Sequence, residues 1–211
     1  MVWTLTGLYM TVIHIDVIHG DHFIRAANAA PNNVSELVSP AFAARTTGAH
    51  KVKLTSLLGR AVYVVDSGGA QALVDARSGA RISRPTKAQI KEIAEARFTG
   101  EEKLVGLSLF TEIPNEIRGR RPPLWRADFS GWNKPTLYIS PATGELVSRR
   151  HELWRVFDFA WMLHIMDYEE RENVNNLLLR AMTLLALVTA LSGAWLLFFA
   201  FPRKRRKAAA Q

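Results

Sequence analysis

The chain has 211 residues, with 27 Lys and Arg against 19 Asp and Glu for a formal net charge of +8, and no cysteine. The missing thiols exclude disulfides, iron–sulfur clusters and thiolate zinc sites, so a folded domain must stand on packing alone. No basic helix is interleaved with aromatics in the manner of a nucleic-acid binder. The basic excess therefore points to anionic lipid or an acidic protein surface.

From Val2 to Ile18 the chain is apolar except for Thr4, Thr6, Thr11, His14 and Asp16. This predicts a first membrane helix over residues 1–19. The stretch is slightly short for a span and carries no basic flank ahead of it, so Met1 reads as a false or internal start. Signal-peptide cleavage at Ala26-Ala27-Asn28-Ala29-Ala30 is the alternative, and Asp16, His19, Asp21, His22 and Arg25 before that segment argue against it. His19-Gly-Asp-His22 has the residue types of a divalent-metal site but the spacing of no defined one.

Residues 20–150 read as one domain with a core of its own. A short helix is expected from Val34 to Ala44. Two strands follow, Arg60–Asp66 and the start of Leu73-Val-Asp-Ala-Arg-Ser-Gly-Ala-Arg-Ile-Ser83, the second turning back through Ser-Gly into a further short strand. The pattern returns as Leu124–Phe129 and Tyr138-Ile-Ser-Pro-Ala-Thr-Gly-Glu-Leu-Val-Ser148, with Gly79 aligned on Gly144. The loops Ser67-Gly-Gly and Ser130-Gly-Trp join strand to hairpin in each copy. Between the copies Ala88, Ile90, Ile93, Ala94 and Phe98 recur at near-helical spacing behind Thr86, a fitting cap, so Pro85–Phe98 is expected to be a helix laid on one meander face. Glu112–Pro123, with Arg118-Gly-Arg-Arg-Pro-Pro, has loop chemistry. His50 and His151 stand in polar surroundings and are expected to be solvated.

Residues 151–175 read as an aromatic, amphipathic helix and connector along the outer membrane interface, with Trp154, Trp161 and Tyr168 as anchors. Within it Arg155 with Asp158 and His164 with Asp167 are spaced to pair. Residues 176–202 form the second span. Its uncharged run from Ala181 to Phe201 covers about 30 Å, contains Trp195, and can return the hydroxyls of Thr183, Thr189 and Ser192 to its own carbonyls. Ser192-Gly193-Ala194 and Gly7 offer small-residue faces for helix pairing. The tail 203–211, with Arg203, Lys204 and Arg205, marks the cytoplasmic side. The expected protein is thus α+β, with two spans of a bacterial inner membrane and a periplasmic domain between them.

The repeated strand, Ser/Thr-Gly turn and strand, seen in Val74-Asp-Ala-Arg-Ser-Gly and Tyr138-Ile-Ser-Pro-Ala-Thr-Gly-Glu-Leu, resembles the PepSY domain. Thr6-Gly-Leu-Tyr-Met10, Ile15-Asp-Val-Ile-His-Gly-Asp-His22 and Arg155-Val-Phe-Asp-Phe-Ala-Trp-Met-Leu-His-Ile-Met-Asp167 extend the resemblance to bacterial PepSY-associated transmembrane proteins over nearly the whole chain. Such relatives begin with a basic His-Arg-Trp-like segment that is missing here. The resemblance implies two helix-plus-antiparallel-sheet units and one of two roles: a non-catalytic extracytoplasmic modulator with a membrane or periplasmic protein partner, or an accessory of membrane electron transfer such as ferric-siderophore reduction.

For the second role the cofactor is haem b, and the histidines near the bilayer, His14, His22 and His164, are the ligand candidates. A His14 and His164 pair requires the 154–168 helix to fold back on the first span. No Gly-x-Ser-x-Gly, His-Glu-x-x-His, Walker or Gly-x-Gly-x-x-Gly motif is present, so neither an autonomous hydrolase nor a nucleotide-cofactor enzyme is expected.

Overall fold

The computed structural model describes residues 1–25, 34–112 and 114–200. The fold is α+β, with two four-stranded antiparallel sheets in plain meander order. The helices are α1 (Val2–Val12), α2 (Ile15–His19), α3 (Pro40–Thr47), α4 (Lys87–Arg97), α5 (Glu152–Ile165) and α6 (Leu177–Ala200). The first sheet holds β1 (Lys51–Leu57), β2 (Arg60–Asp66), β3 (Gln71–Asp75) and β4 (Arg81–Ile82). The second holds β5 (Leu104–Phe110), β6 (Leu124–Phe129), β7 (Thr136–Ile139) and β8 (Leu146–Arg150). The chain divides into two units, Val12–Phe157 and the combination of Met1–Thr11 with Asp158–Gln211.

In the larger unit each sheet has its own helix. Lys51-Val-Lys-Leu alternates with period two, so Val52 and Leu54 of β1 share one face. There they pack with Tyr63, Val65 and Val74 against Ala43 of α3. The helix expected at Val34–Ala44 is replaced by a 3-10 turn at Val34–Glu36 and by α3, because Pro40 cannot lie inside a helix but suits its first turn, with the Ser39 hydroxyl capping the Ala41 N–H at 3.3 Å. The other face of the sheet buries Val62, Val64 and Leu73, with Leu57 and Ile82 packed beside them.

In the second sheet Ala127, Phe129, Leu137 and Ile139 meet Ile90, Ile93, Ala94 and Phe98, the stripe expected of α4. Full burial of each Leu, Ile or Phe among them contributes roughly 1.5–3 kcal/mol. Thr86 caps α4 as expected, in a reciprocal box with Gln89. A bulge between Leu104 and Gly106 inserts an extra residue into β5, so Leu104 and Leu107, three apart, both pack on this core. Leu57 touches this core as well as the buried face of the first sheet and so joins the two.

The last hairpins of the two sheets repeat one geometry. The N–H of Gly79 donates to the Asp75 carbonyl and that of Gly144 to the Ser140 carbonyl, both at 2.9 Å. Both glycines are left-handed, at φ +74° and +71°. Asp75 braces the first turn, accepting from the N–H of Ser78 (2.8 Å) and of Arg77 (2.9 Å) and from Arg60 Nε (2.7 Å). Chiefly through the Ser78 N–H, its carboxyl is held down at about 2.

In the smaller unit α6 is 24 residues, about 36 Å long, and has no buried side chain. Thr183, Thr189 and Ser192 each donate at 2.8 Å to the carbonyl four residues back, as a helix in hydrocarbon requires. Among the described residues α6 alone is long and apolar enough to cross a membrane. The single helix expected over residues 1–19 is instead two: α1 is 11 residues long, and a break follows at which His14 caps α2 through Nδ1, 3.4 Å from the Asp16 N–H. Gly7 admits the His164 ring of α5, which a β-carbon there would approach to 3.1 Å. Gly193 has nothing within 4 Å of its own β-carbon position. The expected end of the second span, residues 201–202, and the tail 203–211 with Arg203, Lys204 and Arg205 lie outside the described residues, as does the Ala26–Ala30 segment.

Candidate functional site

The larger unit contains a cleft of about 260 Å³ between the turn of β1 and β2, the last turn of α4 and the hairpin of β7 and β8. Its lining includes the apolar side chains of Leu57, Ile93 and Leu146 and the charged ones of Arg25, Lys53, Arg97 and Glu145. Lys53 Nζ meets Glu145 Oε1 at 2.8 Å. Arg97 Nε is buried with no hydrogen-bond partner among the described residues. Burial pushes the Arg97 guanidinium down from the usual arginine range, and the Glu145 charge opposes the shift. At the rim Leu58 is held at φ +50°, a conformation that disfavours any side chain. Such a cleft can hold an anion with an apolar body.

On the far face of the second sheet a polar cluster fixes the start of α5. Arg155 Nε donates to Glu116 Oε2 at 2.7 Å and its Nη1 to Glu152 Oε1 at 3.2 Å, while the Tyr138 hydroxyl donates to Glu116. Burial pushes the Glu116 carboxyl up, but the hydrogen bonds from Arg155 and Tyr138 outweigh it and the net shift is down. Burial, reinforced by Glu116, pushes the Tyr138 hydroxyl well up. Arg155 therefore does not pair with Asp158, which in the smaller unit bonds Arg171. These groups are saturated with one another and hold structure.

His151, expected to be solvated, is 1% exposed. Its Nε2 donates to the Ile18 carbonyl at 3.0 Å and its Nδ1 accepts the Trp154 N–H at 3.3 Å, so it caps α5 and clasps the end of α2. Burial lowers its pKa, which keeps the ring neutral. His50 is exposed, as expected.

The haem-ligand candidates fall in both units. His14 is exposed, with Nδ1 3.3 Å from Asp16. His22 lies tilted against Phe23 at 4.0 Å between centroids and edges toward His151 at 6.5 Å. His164, in the smaller unit, lies against α1: its ring is parallel to Trp3 at 5.3 Å, Nδ1 is 3.2 Å from the Trp3 carbonyl and 3.3 Å from Thr6 Oγ1, and its own carbonyl accepts from Trp3 Nε1 at 3.0 Å. It does not pair with Asp167, whose carboxylate accepts the N–H groups of Glu169, Glu170, Glu172 and Asn173. His19 and Asp21 are tied to Arg149, and no group of three or more His, Asp or Glu poised for a metal occurs among the described residues.

Of the expected anchors, Trp154 carries the Arg150 guanidinium 3.9 Å above its ring, and Trp161 donates to the Arg171 carbonyl at 3.0 Å. Tyr168 and Trp195 are 56% and 67% exposed. The cleft residues Lys53, Arg97 and Glu145 went unread in the sequence because nothing local links them. The alternation of β1 was the one signal that could have found the first. No family model, curated protein or solved structure matches the chain.

Proposed function

We propose that the chain is a membrane-anchored, non-catalytic binding module of PepSY type, held by α6 with its duplicated domain on the periplasmic side of a bacterial inner membrane. The observation that carries this reading is the repetition of one helix-on-meander unit, down to the glycine of its last hairpin, in a chain with a 24-residue helix that buries no side chain. The partner in this reading is a membrane or periplasmic protein, bound through the domain surface. β5, at a sheet edge with Val105 67% exposed, offers backbone for strand addition.

The test is alkaline carbonate extraction of membranes combined with protease applied to spheroplasts. Retention in the pellet with external cleavage of the domain supports the reading, and release into the supernatant sinks it. Tags at both ends report the topology. Protection of both fits two spans with the termini inside, whereas cleavage of the N-terminal tag leaves α6 as the sole span.

One observation favours a second reading, a haem-bearing or haem-adjacent subunit of a membrane reductase. With Nδ1 of His164 donating to the Trp3 carbonyl, the imidazole is set in the tautomer whose Nε2 lone pair suits a ligand. A reduced-minus-oxidised visible spectrum with a Soret and α-band that His164→Ala removes supports it. A flat spectrum of the extracted protein overturns it.

A further inference from the structure

The cleft in the larger unit sets one unpartnered cationic group beside the edge of the apolar core. A buried N–H without an acceptor costs about 1–3 kcal/mol, and native interiors rarely leave one. Arg97 Nε is such a group, and it belongs to a side chain lining a cavity whose walls hold the cations Arg25, Lys53 and Arg97 against the one carboxylate of Glu145. Glu145 is already engaged by Lys53. A guanidinium offers parallel donors that match a carboxylate edge.

The rest of the lining includes the aliphatic side chains of Leu57, Ile93 and Leu146. The volume, about 260 Å³, lies just below the range of drug-sized sites and suits a small molecule. The end of α4 that meets the cleft is its C-terminus, where the helix dipole is negative, so a dianion such as phosphate is disfavoured relative to a singly charged head.

We propose that this cleft binds a small monocarboxylate with a branched apolar body, its carboxylate on Arg97 and its body on Leu57, Ile93 and Leu146. The proposal rests on reading the domain as a binding module and gives that module a ligand class. Anchoring and topology are measured separately, so failure of one does not imply failure of the other.

The test is thermal unfolding of the full chain in detergent, followed by tryptophan fluorescence, with isovalerate, isovaleramide and inorganic phosphate at matched ionic strength. Isovalerate is expected to raise the melting temperature saturably, isovaleramide not at all, and phosphate less than isovalerate. Arg97→Lys should weaken the apparent affinity about tenfold by losing the planar fork, and Glu145→Gln should strengthen it. Ala96→Trp, which fills the cleft from an exposed helix position, should abolish the shift and serves if Arg97→Lys does not fold. An equal response to phosphate, an unchanged affinity in Arg97→Lys, or no shift with isovalerate overturns the proposal. N-acetylleucine separates the two sources of this chemistry: tighter binding than isovalerate assigns the site to a peptide C-terminus, and weaker binding to a free acid.

Discussion

Gly144 is overlain by Ile93: a β-carbon on the glycine would stand 2.8 Å from Ile93 Cδ1. The first repeat has the same arrangement, where a β-carbon on Gly79 would stand 2.7 Å from Phe42 Cε1 of α3. In both repeats the helix packs onto a turn that has no room for a side chain and a backbone that disfavours one. Gly144→Ala is expected to destabilise by about 2–4 kcal/mol, from left-handed strain and overpacking together. Ile93→Val removes Cδ1 at a cost of about 1 kcal/mol, so in the double variant part of the loss should return as a favourable coupling. Urea unfolding of the four proteins measures it, and strict additivity would show that the contact is unimportant.

Arg155→Met should cost about 3–5 kcal/mol, because Glu116, with its side chain 16% exposed, is left as a buried charge. The depressed Glu116 carboxyl contributes stability that is full above its ordinary range and lost as pH falls through its folded value. Tyr138 acts at the other end of the scale: its raised pKa means stability that is full below the ordinary tyrosine value near 10 and declines as pH rises beyond it. Arg155→Met with Glu116→Gln should recover stability relative to Arg155→Met alone. Denaturant midpoints across pH test all three statements.

His151 gives a pH effect nearer neutrality. Its folded pKa is depressed, so an unfolded chain takes up a proton near 6.5 that the folded chain refuses. Stability is full above that value and falls as pH drops below it. Melting temperature should decline between about pH 7.5 and 5.5, and His151→Gln, which keeps a donor for the Ile18 carbonyl, should flatten the slope. An unchanged slope would assign the titration to other groups.

Leu191 is 62% exposed near the middle of α6. Leu191→Arg should disfavour membrane insertion by roughly 2.5–3.5 kcal/mol and shift protein from the carbonate-resistant pellet to the supernatant, while Leu191→Phe leaves it in place. Equal retention of both variants would mean that the exposed face meets another protein chain.

Local signals made much of the fold readable. Thr86 and the apolar stripe behind it announced α4, and the glycines at 79 and 144 announced the repeated hairpins, because capping and positive φ are properties of short segments. β1 and β5 escaped notice for different reasons: β1 carries lysines on its outward face, and the extra residue at the β5 bulge breaks the alternation that marks a strand. Arg155, His151 and His164 find Glu116, Ile18 and Trp3 on other elements, so sequence spacing favoured Asp158 for Arg155 and Asp167 for His164, which the fold does not use, and left His151 looking solvated. The cleft was invisible for the same reason, since Arg25, β1 with its turn, α4 and the hairpin of β7 and β8 supply its lining from four distant stretches.

The connection between α5 and α6 has a mechanical consequence. Asp167 gathers four backbone N–H groups, Arg171 ties back to Asp158, and Asn176 both caps α6 and donates to the Ile165 carbonyl at 2.8 Å. A segment latched at so many points should hold the start of α6 close to the end of α5 that carries His164, so a displacement of one helix end is expected to be felt by the other.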